Sequence, residues 1–197
     1  MTHRSAALLI ALVALTACQT VEPAAPPTTI PVAAVAETPH AAVATIERSR
    51  RDSNRDDILQ SLVSRKIKEL DRTAFRGVTV DVWGGRVLLM GAVIKPENRR
   101  HAEQQAASVS GVRRVTNELI LAEDRALDLF VPNTAKEEQV RRELGIEGKA
   151  GLTVHVINNV AFLLGGAADP TQAEALRNDA GEIDGIKWVV AHLDGAQ

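Results

Sequence analysis

The sequence contains no tyrosine, and only three phenylalanines and two tryptophans among 197 residues. Stacking platforms for single-stranded nucleic acid are built from such rings, so no nucleic-acid partner is expected. Cys18 is the only cysteine, which excludes an intramolecular disulfide. Past the N-terminal segment the longest apolar run is Val160 to Ala168, far short of the roughly 20 residues a membrane-spanning helix needs. None of the five histidines has a Cys, Asp or Glu at metal-ligand spacing, although His155 and His192 fall on strands where they could approach each other. Gly165-Gly166 lacks the Lys-Ser/Thr that completes a phosphate loop. The expectation is therefore a protein with no catalytic residues, no metal and no cofactor, and so not an enzyme.

What is present begins at the N-terminus. A short basic lead, Thr2-His3-Arg4, precedes the apolar run Ala6–Ala14, which ends in Leu15-Thr16-Ala17-Cys18. The run is too short to span a bilayer, and small residues before a cysteine suit a signal peptidase that leaves a thiol for acylation. The segment resembles the lipobox of bacterial lipoproteins. That resemblance implies cleavage after residue 17, lipidation of Cys18 and anchoring in a membrane; the plainer reading of the same residues is an ordinary secretory signal. Residues 18–46 carry Pro23, Pro26, Pro27, Pro31 and Pro39 among Ala, Thr and Val, the composition of an extended linker.

An internal repeat sets the architecture. Shifting the chain by 74 positions lays Val78–Leu119 on Leu152–Leu193 without a gap, and ten of those 42 positions are identical, among them Gly91/Gly165, Pro96/Pro170 and Gly111/Gly185. Each copy opens with alternating apolar residues, Val78-Val80-Val82 or Leu152-Val154-Val156, the period of a half-buried strand. Gly84-Gly85 or Asn158-Asn159 then supplies a two-residue hairpin turn. After the second strand a proline starts a helix with the stripe Ala102-Ala106-Val109 or Leu176-Ala180-Ile183, a glycine ends it, and a third strand follows. A further helix precedes each hairpin. In the first copy Ser53 or Asn54 is expected to cap it, with Leu59, Val63, Ile67 and Leu70 facing inward. In the second, Thr134 to Glu137 reads as a capping box ahead of Val140 and Leu144. The fold class is α+β: two tandem αββαβ modules, each a three-stranded sheet with two helices on one face, at 47–122 and, with the connection, 123–197.

The strings Val78-x-Val80-x-Val82, Gly85-x-Val87-x-Leu89-x-Gly91 and Gly111-Val112-x-x-Val115-x-Asn117-x-Leu119 resemble the BON domain. With the lipobox and the Pro-rich neck, the whole is similar to the dual-BON outer-membrane lipoproteins of the DolP type. That resemblance implies an outer-membrane location facing the periplasm, binding of anionic phospholipid and a part in keeping the envelope intact. Gln19, where an aspartate would signal inner-membrane retention, points the same way.

Two surface features refine the expectation. Between Arg48 and Arg114 there are 15 Lys and Arg against 8 Asp and Glu, whereas from Val115 to Gln197 there are 7 against 14. Arg65, Lys66, Lys68, Arg72 and Arg76 are the candidate contacts for anionic lipid, although a solvated face or attraction between the modules would use the same charges. Second, strand alternation turns Ile157, Val160, Phe162, Leu164, Trp188 and Val190 away from the helices of the second module. Such a patch marks a contact with the first module, with the connection Ala126-Leu127-Leu129-Phe130, or with another copy. A scaffold that uses this face to hold periplasmic or outer-membrane proteins is the alternative function.

Overall fold

The computed structural model describes residues 45–195; the leader, Cys18 and nearly all of the Pro-rich stretch lie outside them. The described residues belong to one compact unit. Helix α1 (Arg50–Leu70) leads to the hairpin β1 (Val78–Trp83) and β2 (Arg86–Val93), then α2 (Pro96–Ala107), β3 (Arg114–Asn117) and β4 (Ile120–Leu121). A 3-10 helix, Asp124–Leu129, makes the connection. The second copy runs α3 (Thr134–Glu143), β5 (Leu152–Ile157), β6 (Val160–Ala167), α4 (Pro170–Glu182) and β7 (Trp188–Gly195).

Both sheets have the hairpin antiparallel and the third strand parallel to the second: β1-β2-β3 and β5-β6-β7. The first differs from a plain three-stranded sheet, because Glu118-Leu119 interrupts its third strand and β4 resumes the pairing with Ala92 and Val93 of β2. The hairpin turns are of one kind, with positive φ at Gly84, Gly85, Asn158 and Asn159, as strands joined by two residues require. Gly91 and Gly165 are fixed by close approach. A Cβ on Gly91 would stand 2.0 Å from the Gly77 carbonyl, and one on Gly165 would stand 2.5 Å from that of Gly151. Those carbonyls accept the Ala92 and Gly166 N–H groups, both at 3.0 Å. The repeat thus conserves a pair of glycines in each copy.

Each module has its own core between sheet and helices. In the first, Leu59, Val63 and Ile67 of α1 pack on Val80, Val82, Val87, Leu89, Ala102 and Ala106; in the second, Val140, Leu144 and Leu176 pack on Val154, Val156, Ala161 and Leu163. The helix starts differ from the sequence expectation. Ser49, not Ser53 or Asn54, caps α1 by accepting the Asp52 N–H, so the helix gains a full turn. Asn133 caps α3 through the Lys136 N–H, which frees Glu137 from the expected capping box. Leu70, at the last position of α1, is 46% exposed instead of inward, because the core ends with Ile67.

A third apolar cluster joins the copies. Leu88, Met90 and Ala92 of β2 meet Ile157, Phe162 and Leu164 of β5 and β6, with Leu127 and Phe130 of the connection. The helix-free faces of the two sheets therefore cover each other. Each large side chain buried there contributes about 1.5–3 kcal/mol relative to exposure.

Candidate functional site

The polar part of this seam is built from strand residues that alternation turns away from the cores. Asp81 of β1 is 4% exposed. His155 of β5 stands between it and Glu137 of α3, with Nε2 3.5 Å from the Asp81 carboxylate and Nδ1 3.3 Å from that of Glu137. The Thr153 hydroxyl lies 2.5 Å from Asp81 Oδ2, and Glu137 also accepts the Val156 N–H at 3.1 Å. Burial opposes charge on His155, but the two carboxylates outweigh it and lift its pKa from 6.5 to about 9. Burial likewise pushes Asp81 and Glu137 up, but His155, together with the Thr153 hydroxyl and Val82 N–H at Asp81 and the Val156 N–H and Arg141 charge at Glu137, brings both below the ordinary carboxylate range. The seam thus holds a charged imidazolium between two carboxylates at neutral pH.

Three further contacts cross between the modules. Arg86 pairs with Asp194 at 2.8 Å and donates to the Gly165 carbonyl at 2.8 Å. His192 lies 3.0 Å from Glu118. His155 and His192 therefore each face a carboxylate of the first module, and no group of three or more ligands able to hold a metal occurs among the described residues. The segment ahead of α1 is the third contact. Thr45 bridges to Ala167, the Ile46 N–H donates to the Gly166 carbonyl, and Glu47 accepts the Ala150 N–H at 2.9 Å. Arg48 then donates to the Ala150 carbonyl at 3.0 Å while pairing with Asp56 at 2.6 Å. One short strap thereby touches both modules.

The residues singled out in the second sheet separate into two groups. Ile157, Phe162 and Leu164 are buried in the seam, with Val160 and Val190 packed against it. Trp188 is 64% exposed instead. The side chain lies at the start of β7 and lines a shallow hollow with Arg177 and Lys187.

The basic candidates also separate. Arg65, Lys68 and Arg72 line one surface groove with Ser61, Ser64 and Glu69, and Lys66 is half-buried on the same helix. Arg65 and Glu69 approach to 3.7 Å with both side chains about two-thirds exposed, a pairing weak enough to exchange for another anion. Lys68 in the last turn also complements the helix dipole, a purely structural use. Arg76 is already committed. Its guanidinium pairs with Asp124 at 2.8 Å and Asp128 at 3.1 Å and donates to the Asp124 carbonyl, which braces the connection against the first module.

A cleft of about 710 Å³ lies between α1, the Gly84-Gly85 turn and the turn before β3. Asp56 of α1 sits 3% exposed at its edge and accepts the Gly84 and Gly85 N–H groups at 2.7 and 3.0 Å. The hairpin N–H groups it accepts come from more than 25 positions later, which no local pattern discloses.

The BON domain model matches twice, at residues 55–123 and 133–197. The outer membrane lipoprotein DolP of Haemophilus influenzae is 30% identical over 76% of this chain and 79% of its own length. A protein from the gshII 5′ region of Anaplasma centrale is 28% identical over 60% of this chain and 82% of its own. Among solved structures, the C-terminal domain of CdsD, a structural protein of the type III secretion system of Chlamydia trachomatis, aligns with 16% identity and a TM-score of 0.28, covering 71% of this chain and 98% of that domain.

Proposed function

This chain belongs to the BON domain family, and on that premise we propose that it is a non-enzymatic, lipid-anchored envelope protein that binds anionic phospholipid and supports outer-membrane integrity. Cys18 is the lipidation site in this reading, and Arg65, Lys66, Lys68 and Arg72 are the lipid contacts. The family and the likeness to an outer membrane lipoprotein support an envelope protein tied to membranes. The observation that carries the finer reading is the groove in which three cations, Arg65, Lys68 and Arg72, stand with one acid, Glu69. Each basic residue at an anionic surface contributes about 1 kcal/mol, so several together hold a domain there while the acyl chains on Cys18 supply the anchor.

Co-sedimentation with liposomes tests the lipid contact, using an unlipidated chain that starts at Gln19 and keeps every described residue. Binding to vesicles of anionic but not neutral lipid, lost at high salt and lost in Arg65→Glu/Lys68→Glu/Arg72→Glu, is the expected result. Equal binding to neutral vesicles would end the electrostatic reading. For the anchor, Cys18→Ser is expected to abolish labelling by palmitate and to release the protein from the outer-membrane fraction.

The adaptor reading changes its surface. Phe162 and Leu164 are covered by the first module, so they are not free for a partner protein. Exposed Trp188 keeps a narrower form of it alive. Loss of a specific complex in Trp188→Asp, with liposome binding unchanged, would favour that form.

A further inference from the structure

The two modules differ at the hairpin end. In the second, Lys136, one turn ahead of buried Val140, reaches over the turn before β7: its ammonium donates to the Asp184 carbonyl at 2.9 Å, and a Cβ on Gly185 would come within 2.1 Å of it. In the first module the matching glycine is Gly111, and its neighbour is the apolar Leu59, one turn ahead of buried Val63. Helix α1 also begins at Arg50, so it runs on past the hairpin end, where α3 is already capped. The result is the 710 Å³ cleft, within the range of roughly 300–1,000 Å³ typical of small-molecule sites.

Its lining has an apolar part, Leu59, Leu62 and Val112 beside Trp83, and a cationic part, Arg48, Arg55 and Arg113. Hydrogen-bond donors there exceed acceptors. Asp56 is occupied by two backbone N–H groups and Arg48, and Asp52 by the Ser49 hydroxyl and Arg55. The Trp83 indole N–H is buried with no acceptor, while the guanidiniums of Arg48 and Arg86 stand 5.5 and 4.8 Å from its ring. The Arg113 side chain has no hydrogen-bond or ion-pair partner among the described residues. A site with surplus donors beside an apolar wall is matched by an anion carried on an apolar body.

We propose that this cleft binds an anionic single-chain amphiphile, a fatty acid or lysophospholipid, with its carboxylate or phosphate at Arg55 and Arg113 and its chain along Leu59, Leu62 and Val112. A bilayer surface cannot enter a cleft of this kind, so the site is separate from the basic groove of α1, and either can fail without the other. The shared chemistry is one negative head on one alkyl chain.

Trp83 is a built-in reporter, because Trp188 is the only other tryptophan and is exposed. The unlipidated chain starting at Gln19 and carrying Trp188→Phe would be titrated with oleate and lysophosphatidylglycerol below their micelle concentrations. Lysophosphatidylcholine and glycerol phosphate serve as the neutral-headed and chainless controls, and equilibrium dialysis measures binding independently of the fluorescence. Saturable binding of both anionic amphiphiles is expected, at least about tenfold tighter than either control and weakened about tenfold or more by Arg55→Glu/Arg113→Glu, with Lys68→Glu unchanged. Glycerol phosphate binding as tightly would reduce the cleft to a plain anion site and overturn the proposal. So would an Arg55→Glu/Arg113→Glu variant that binds like the parent, or no saturable binding in dialysis, whatever the liposome result.

Discussion

The two modules meet through corresponding positions. Asp81 faces His155 and Glu118 faces His192, and each pair lies 74 residues apart, the spacing of the repeat itself. Leu88 and Met90 join Phe162 and Leu164, again the same positions of the two copies. Contact of a position with its own counterpart is the property of an isologous interface, the kind a symmetric dimer has. The copies therefore dock as two subunits would, yet their polar contacts are unlike: an acid in the first copy opposes a histidine in the second. Acid against acid or histidine against histidine would repel at the same places. The divergence favours docking of first module on second over either module on its own kind.

Restoring likeness is the sharpest way to break that arrangement. His155→Asp sets three carboxylates together in a site where Asp81 is 4% exposed, and it is expected to cost about 4 kcal/mol, measured by urea unfolding. Faster proteolysis in the connection would accompany it. Adding Asp81→His should recover part of the loss. No change in stability with His155→Asp would show that the acid–histidine pairing is irrelevant to docking.

The conserved glycines are next in size, and they are not equal. Gly91 has φ +104 and a Cβ there would meet a backbone oxygen at 2.0 Å, whereas at Gly165 the corresponding distance is 2.5 Å and φ is not positive. Gly91→Ala should cost about 3 kcal/mol and Gly165→Ala less, because only the first adds left-handed strain to the clash. Thermal unfolding of the two variants checks the order. Equal losses would mean the clash alone decides.

Proton linkage separates the seam from the two cores. His155 has its pKa raised from 6.5 to about 9, so its stabilisation is fully present below pH 6.5 and is lost as pH rises through 9. Asp81 and Glu137 have lowered pKa values, so their share is present above the ordinary carboxylate range and is lost on acidification. Docking is then firmest in mildly acidic solution. The alkaline loss should be roughly 2 kcal/mol, allowing for the part of the ring still in contact with water. A stability profile from pH 5 to 10 tests this: His155→Gln should flatten its alkaline limb, and an unchanged limb would assign the titration to another group.

Strands, hairpin turns and the repeat were legible because period-two alternation and glycine or asparagine pairs are local signals, read twice in one chain. Three things were not. The N-cap Ser49 was missed because the charged run Arg50-Arg51-Asp52 carries no apolar stripe to mark a helix. Arg76 reads in sequence as a candidate contact for anionic lipid, since nothing in its neighbourhood announces that Asp124 and Asp128 return to it. The ion pairs of the seam join residues far apart in sequence. Their signal was nonetheless present: Asp81 and His155 share one column of the repeat, as do Glu118 and His192, at strand positions that alternation turns away from the helices. Unlike charges in matching outward positions are what docked copies of one module display.

The smallest contrast concerns one matched position in the first helical segment of each module. Asp56 and Asn133 lie seven residues ahead of the buried helix positions Val63 and Val140. Asn133 caps α3 through the Lys136 N–H at 3.1 Å, while Asp56 lies inside α1 and accepts the Gly84 N–H and the Arg48 guanidinium on one oxygen and the Gly85 N–H on the other. In Asn133→Asp the side chain still accepts, so stability should change by only a few tenths of a kcal/mol, as Asp and Asn are nearly equal as caps. Asp56→Asn instead places an amide donor where at least one donor now ends and removes the charge opposite Arg48, at a cost of about 1.5 kcal/mol. Chemical denaturation of the two single variants reads the difference. If both are neutral, Arg48 and the hairpin N–H groups find water as readily as Asp56, and the carboxylate is not what holds the strap to the first module.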